Sequence, residues 1–350
     1  MNFNTKSKPI NVSILNSPDS ECDDFVRGEA DAKLCHMPAW SNMVEKMHGL
    51  KGFYLVAREG DTVCGVLPLV YVHCRIFGKR MISQAFSNYG GPLSTSSAAV
   101  DALCKQAVEL AVEYKCKSLE LRNVNPIPCD YYLGTDKKIS YLPLGSNLAE
   151  LWKSFRPQIR NRIRKAEKSG IVVVSGGLEL LDGFYRVWTT RMRQKGTPCY
   201  PRKLFSNIME TFPDKCQIFV ARLNNTNVGA LFIYLFKELV QVRWGASLVE
   251  YNDLAPTSLL FWSAIKHYCE TKAKYLDFGT STTGSSQLEF KRRWGTKQIQ
   301  LFYQYWVPPG QHLALAKPDN PKYKGKVKMW KKLPLCMTRI VGPYISRHLP

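Results

Sequence analysis

The sequence contains one pattern twice, and that duplication limits what the chain can fold into more than any other feature. Val56-Ala57-Arg58, six residues, then Gly65-Val66-Leu67 returns as Val220-Ala221-Arg222, six residues, then Gly229-Ala230-Leu231. Lys115-Cys116-Lys117-Ser118-Leu119-Glu120-Leu121 returns as Lys272-Ala273-Lys274-Tyr275-Leu276-Asp277-Phe278. The offsets, 164 and 157 residues, nearly agree, so one supersecondary unit is present in two copies. β-rich residues flank a turn at Glu59-Gly60-Asp61 and again at Asn224-Asn225-Thr226, which predicts a hairpin in each copy. Apolar residues at three- and four-residue spacing predict helices over 96–114 and 255–271, each leading into the second echo. A helix near 37–48 precedes the first hairpin, and helices near 178–194 and 202–211 precede the second. The expected fold is α/β (α+β): two units, each with a mixed central sheet flanked by helices. Pro143 and Gly145 punctuate the chain before Ser146 or Asn147 caps a new helix, which sets domains at 1–147 and 148–310 and a C-terminal extension at 311–350.

The charge divides along the same lines. Of the net +21, residues 1–150 contribute nothing, with 16 basic and 16 acidic residues. Residues 151–310 hold 24 and 11, and residues 311–350 hold 9 and 1. A neutral copy joined to a basic one points to a localised anionic partner: RNA, a substrate bearing phosphates, or an anionic membrane surface. The 11 cysteines include no CxxC pair, so reduced and mostly buried thiols are expected rather than disulfides or a zinc site. The 6 histidines form no HxxxH or HExxH pair, and no metal is expected. The longest near-apolar run, Val63 to Cys74, falls short of the about twenty residues of a spanning helix. The first residues show no signal-peptide pattern. A cytoplasmic protein is expected, with peripheral contact to the inner face of an anionic membrane through the basic residues of 318–350, where lysines surround Trp330.

The motifs that suggest chemistry lie in the second copy. Pro157 to Gly170 reads as a helix with Pro in its first turn and Gly just past its end. Arg160, Arg164 and Lys168 fall at i, i+4 and i+8 on one face, opposite Ile159, Ile163 and Ala166. Only Glu167 offsets this stripe, and arginines suit bidentate phosphate contacts. Gly196-Thr197-Pro198-Cys199-Tyr200-Pro201 is a rigid turn between helices, either a pocket wall or a plain connector. Arg243-Trp244-Gly245-Ala246-Ser247 ends a strand and leads through Tyr251-Asn252 to a helix starting near Pro256. The strand Tyr275-Leu276-Asp277-Phe278 runs into Gly279-Thr280-Ser281-Thr282-Thr283-Gly284-Ser285-Ser286, whose N–H groups and hydroxyls suit a phosphate or an oxyanion. No GK[ST] closes that loop, so it is not a P-loop. Phe290-Lys291-Arg292-Arg293-Trp294-Gly295 mixes aromatic and cationic residues, as sites for nucleotides and RNA ends do.

The order of elements in each unit matches the general plan of the GNAT acyltransferase fold. Pro157 to Gly170, Gly196 to Pro201, Arg243 to Trp262 and Asp277 to Gly295 together resemble the FemAB-like branch of that superfamily. Its members carry PxxRNxIRKAxKxG, GTPxxP, RWGAS…YNxLAPTxLLxW and DFGxS…G…FKxxWG segments. Within the branch the chain is most similar to the FemAB-related proteins associated with exosortase (PEP-CTERM) and exopolysaccharide loci, which also end in a proline- and tryptophan-containing tail. Three features depart from the wider family. Gln158 stands where relatives often have Lys, the long coiled-coil arm of the staphylococcal bridge enzymes is missing, and the R/QxxGxG/A loop of acyl-CoA-dependent enzymes is not evident.

The resemblance implies N-acyl transfer from aminoacyl-tRNA or acyl-CoA to an amine of a cell-envelope precursor, lipid- or nucleotide-linked, in peptidoglycan or exopolysaccharide synthesis. It implies a donor co-substrate and no permanently bound cofactor. Under it, Arg160, Arg164, Lys165 and Lys291 hold phosphates, while Arg243, Trp244, Tyr251 and Trp294 line the substrate groove. Loop N–H groups from Gly279 and Thr280 to Ser281 face the oxyanion, and Asp277 or Tyr200 takes the proton. The first copy, whose Leu121-Arg122-Asn123-Val124 lacks the glycine-serine loop, is a supporting half. The rival expectation is a non-catalytic protein that binds nucleic acid or acidic polysaccharide on a degenerate version of the same fold.

Overall fold

In a computed structural model of the protein, the described residues are 8–15, 19–74, 78–145, 147–313 and 324–349. Two compact units emerge, one from segments 1–135 and 301–316 and the other from segments 136–300 and 317–349. The first contains β1 (Ile10–Ile14), α1 (Ser20–Gly28), α2 (Pro38–His48), β2 (Lys51–Glu59), β3 (Thr62–Cys74), β4 (Gly78–Ser83), β5 (Leu93–Ser94), α3 (Ser97–Glu113), β6 (Ser118–Asn123) and β7 (Tyr132–Gly134). The second contains β8 (Lys137–Pro143), α4 (Leu148–Ser154), α5 (Pro157–Lys168), β9 (Ile171–Gly176), α6 (Leu181–Lys195), α7 (Arg202–Thr211), β10 (Cys216–Leu223), β11 (Thr226–Phe236), β12 (Leu239–Ser247), α8 (Pro256–Cys269), β13 (Tyr275–Thr282), α9 (Ser286–Arg292) and β14 (Lys297–Gln300). The chain returns to the first unit with β15 (Phe302–Trp306) and to the second with α10 (Lys324–Lys332) and α11 (Leu335–Ser346).

The sheets match strand for strand. The first runs β1-β2-β3-β4-β6-β15-β7, with β5 added on β3, and the second runs β9-β10-β11-β12-β13-β8-β14. In the echoed hairpins the register shifts at the same place, after Ala57 in one and after Ala221 in the other. The fourth and fifth strands of each order, β4 with β6 and β12 with β13, pair in parallel. The tandem duplication read from the sequence is therefore present as two mixed α/β layers.

The units divide at 135/136 and 300/301, where the sequence suggested 147/148 and 310/311. The difference comes from one exchanged strand in each direction. β8 follows the first copy in sequence but pairs with β13 and β14, while β15 follows the second copy and pairs with β6 and β7. The expected extension is likewise part of the second unit. Arg193 Nη1 of α6 donates to Leu333 O at 3.2 Å, Arg339 Nε of α11 donates to Thr189 Oγ1 at 3.0 Å, and Trp330 is buried. Ser146 and the Pro318 to Tyr323 part of the tail lie outside the described residues, and Asn147 caps α4.

Each core follows from the apolar pattern. In the first unit Leu55, Leu67 and Leu69 of the hairpin meet Leu103, Ala107 and Leu110 of α3. In the second, Leu231, Ile233, Val240 and Val242 of the sheet, Leu259, Leu260 and Ile265 of α8, and Ile159 and Ile163 of α5 form one cluster. Burying those two isoleucines contributes about 1.5–3 kcal/mol each, which fixes α5 with its cationic face outward. Seven cysteines are buried, and Cys336 is the exposed one.

Candidate active site

The site is built where two strands separate. β12 and β13 pair in parallel at Leu239 with Tyr275, Val240 with Leu276 and Gln241 with Asp277. Beyond these three positions β12 continues beside β11 and β13 continues beside β8. Each strand is irregular just past the fork. Arg243 is the extra residue in the β11–β12 register, between Trp244 facing Phe232 and Val242 facing Ile233. The β13–β8 register breaks between Asp277 and Thr280, around Gly279 at φ +79°, a conformation glycine adopts without strain. Parting strands turn backbone N–H and C=O groups away from each other, toward whatever lies in the fork.

Buried polar groups hold this geometry. Gln241 Nε2 donates to Asp277 Oδ2 at 2.9 Å, and Gly279 N donates to Asp277 Oδ1 at 2.6 Å. Lys291 of α9 reaches β13 from another side, its Nζ donating to Gly279 O at 2.7 Å and Thr280 O at 2.9 Å. Burial pushes the Lys291 ammonium down to about 8, and the nearby Asp277 charge opposes that shift. Ser281, two residues past Gly279, is buried and its Oγ has no hydrogen-bond partner among the described residues.

An aromatic wall stands beside β12. α6 ends at Gly196, φ +80°, with Thr197 N donating to Met192 O at 2.9 Å, and Pro201 precedes α7. Between them Tyr200 stacks on Trp188, with ring centroids 5.8 Å apart, and meets Trp244 edge-on at 6.4 Å. Trp244 packs on Phe205 and Phe232, and the Arg243 guanidinium lies 4.9 Å from the Trp244 ring centroid. The turn is braced from behind. Cys199 Sγ donates to Thr338 O at 3.3 Å, and a Cβ on Gly342 of α11 would stand 2.8 Å from that sulfur.

Thus Tyr200, Arg243, Trp244, Asp277, Gly279, Thr280, Ser281 and Lys291 gather around one fork or its immediate support. Arg160, Arg164 and Lys165 are on α5, which packs on α8 through Ile159 and Ile163. The Arg164 guanidinium lies 5.6 Å from the Trp152 ring, Lys165 is exposed, and Arg160 is half-buried. Tyr251 is half-buried in the short turn between β12 and α8, where Ser247 Oγ bonds Asn252 Oδ1 at 3.1 Å. Four expected contacts take a different form: the Gly279 N–H is given to Asp277 rather than left for an oxyanion, and Asp277 is fully buried with both oxygens hydrogen-bonded, which makes it a brace rather than a proton acceptor. Lys291 gives its ammonium to backbone carbonyls, and Trp294 has no exposed surface, packing with Phe155 and Phe278 in the core. Gln241 and Trp188 were not singled out from sequence. The signal for Gln241 was a lone amide inside the otherwise apolar run Leu239-Val240-Gln241-Val242.

The corresponding fork of the first unit is bridged differently. β4 and β6 part after Ile82 and Glu120, but there Ser83 Oγ accepts from Arg122 N at 2.8 Å, and Gly90 and Gly91 N–H groups donate to Arg122 O at 3.2 and 3.0 Å. The carboxylate corresponding to Asp277, Glu120, is paired with Arg122 Nε at 2.7 Å. The backbone at this fork is thus bonded within its own chain, beside a cavity of about 280 Å³ that Tyr89, Gly90, Gly91, Arg122 and Asn123 help to line.

Residues 153–292 match the family model described as an acetyltransferase (GNAT) domain. That match lies within the second unit and spans 140 of the 350 residues. Solved structures with the same fold include FemX, at 16% identity over 83% of this chain and 96% of that one, with a TM-score of 0.61. L-PGS from Bacillus licheniformis aligns at 11% identity over 93% and 97% of the two chains, TM-score 0.57. A tandem GNAT protein from the clavulanic acid biosynthesis pathway aligns at 12% identity over 87% and 100%, TM-score 0.52. At such identities the likeness is one of fold, and that fold is the tandem GNAT arrangement. No curated protein matches the sequence significantly. The forked strands, bulged Arg243 and Gly279 all lie inside the matched GNAT segment.

Proposed function

We propose that the protein is an N-acyltransferase of the FemAB-like kind, moving an acyl or aminoacyl group from aminoacyl-tRNA or acyl-CoA to an amine of a cell-envelope precursor. The observation that carries this reading is the fork between β12 and β13, where the strands part around the bulged Arg243 and Gly279 inside the segment that matches the acetyltransferase (GNAT) model. The new bond joins the acceptor nitrogen to the acyl carbon, and the bond from that carbon to the ribose oxygen or the CoA sulfur breaks. Backbone N–H groups of the fork other than that of Gly279, which Asp277 already holds, face the oxyanion, and Tyr200 or Ser281 relays the ammonium proton. Asp277 and Lys291, both buried and hydrogen-bonded, act as positioning residues that hold the Gly279 bulge. The α5 stripe of Arg160, Arg164 and Lys165 holds donor phosphates, and its exposed length suits a polyanion such as an acceptor stem. The envelope acceptor rests on the sequence resemblance.

The test is transfer by the purified chain from charged tRNA and, separately, from acyl-CoA to envelope-precursor amines. Transfer from either donor, lost in Tyr200→Phe or Ser281→Ala, supports the reading. No turnover with any donor, alongside tight and salt-sensitive polyanion binding, overturns it in favour of the non-catalytic rival.

A further inference from the structure

α11 is turned inside out. The side it packs against the rest of its unit carries Thr338, Gly342 and Ser346, small residues at i, i+4 and i+8, all three buried. The side it shows to solvent carries Met337, Ile340, Val341, Tyr344 and Ile345, at i, i+3, i+4, i+7 and i+8, with Ile340 68% and Tyr344 64% exposed. That spacing makes one continuous apolar stripe on the surface of a helix. Water-facing stripes of this kind mark interaction sites, because leaving them wet forgoes the burial that stabilises every other helix here.

The surroundings identify the partner. Residues 324–349 hold seven lysines and arginines and no aspartate or glutamate. Lys324, Lys326, Lys328, Lys331 and Lys332 of α10 are all exposed, and Met329 beside them is 60% exposed. None of the ion pairs among the described residues includes a lysine of α10. Trp330, the aromatic residue in that lysine cluster, points inward and is not part of this surface. An apolar stripe flanked by uncompensated cations fits a surface that is itself apolar beneath and anionic above. We infer that α10 and α11 form a docking surface for an anionic lipid bilayer, with the α11 stripe in the acyl-chain boundary and the α10 lysines among the headgroups.

Docking would bear directly on the fork. Gly342 abuts Cys199, and the next residue, Tyr200, packs against Trp188 and Trp244. The helix that meets the bilayer is thus the helix that braces the aromatic wall, whichever acyl group is moved.

The full chain is sedimented with vesicles of phosphatidylcholine alone and with vesicles that also contain phosphatidylglycerol. Binding is expected to the anionic vesicles, falling with salt, and weakened more than about tenfold both in Ile340→Asp with Tyr344→Asp and in Lys326→Glu with Lys328→Glu. All four side chains are exposed, so an unchanged unfolding midpoint is expected as well. Absence of binding, equal binding by wild type and both variants, or an apolar-stripe variant that dissociates a dimer without any vesicle binding would each overturn the inference.

Discussion

Lys291 shows how far a single side chain can move from the role its sequence neighbours suggest. Its place among aromatic and cationic residues reads as a ligand contact, yet burial and two carbonyls make it part of the scaffold. The echo of Glu120 in Asp277 was legible, because both stand at the same step of the repeat. The partners of Asp277 were not, since Gln241 and Lys291 come from distant segments that only strand pairing and α9 bring together. A pH dependence follows from Lys291. It ordinarily titrates at 10.5 and falls to about 8 in the folded protein. Below pH 8 both folded and unfolded chains hold the proton, and the buried charge disfavours folding. From about 8 to 10.5 only the unfolded chain binds it, so stability rises across that window by about 3 kcal/mol. Urea unfolding at the two ends of the window should show the rise in wild type and lose it in Lys291→Met; parallel pH profiles would contradict it. At Tyr200, removing the hydroxyl leaves the ring stacked on Trp188. If Tyr200 relays the proton, Tyr200→Phe lowers kcat about 10²-fold or more with little change in KM, as steady-state kinetics would read.

At the scale of elements, α5 was legible almost whole. Pro157, Gly170 and the isoleucine spacing set its ends and its buried face, and the cations took what was left. Charge on an exposed helix face acts on binding rather than on folding. Lys165→Glu with Lys168→Glu should therefore raise KM for a polyanionic donor at least about tenfold, with a weaker salt dependence and little change in unfolding midpoint. A fall in kcat at unchanged KM would place these residues elsewhere in the mechanism. α11 was the opposite case. The sequence shows only a basic extension there, with no helix or apolar face singled out. The structure seats the Gly342 side, because only a residue without Cβ lets the helix approach the Cys199 backbone, whose N would lie 2.9 Å from an added methyl. Gly342→Ala should push α11 off the turn, lower stability by about 1–3 kcal/mol and quicken proteolysis in residues 324–349. Unaltered cleavage rates and melting would contradict so close a contact.

For the whole molecule, the repeat told how many units to expect but not where to cut. A duplicated sequence suggests two tandem domains, each folding on its own stretch of chain. Strand pairing cancels that suggestion, since β8 lies between β13 and β14 while β15 lies between β6 and β7. Neither exchange leaves a trace in local propensity: β8 and β15 read as ordinary strands wherever they pair. The consequence is testable with the sequence-derived boundary. Cutting at 147/148 gives a first fragment that lacks β15 and a second that lacks β8, so β7 and β14 lose the strands they pair with among the described residues and an interior strand is missing from each sheet. The lost β8 takes with it Ile139 and Leu142, buried side chains worth about 1.5–3 kcal/mol each, together with the pairing that holds β13 beside the fork. Against a typical total stability of about 5–15 kcal/mol, such losses are decisive. Residues 1–147 and 148–350 produced separately should give no cooperative unfolding transition, and mixing or co-expressing them should restore one, followed by circular dichroism on heating. A fragment 148–350 that melts cooperatively alone and transfers acyl groups would show that the fork needs no strand from the first copy's stretch of chain.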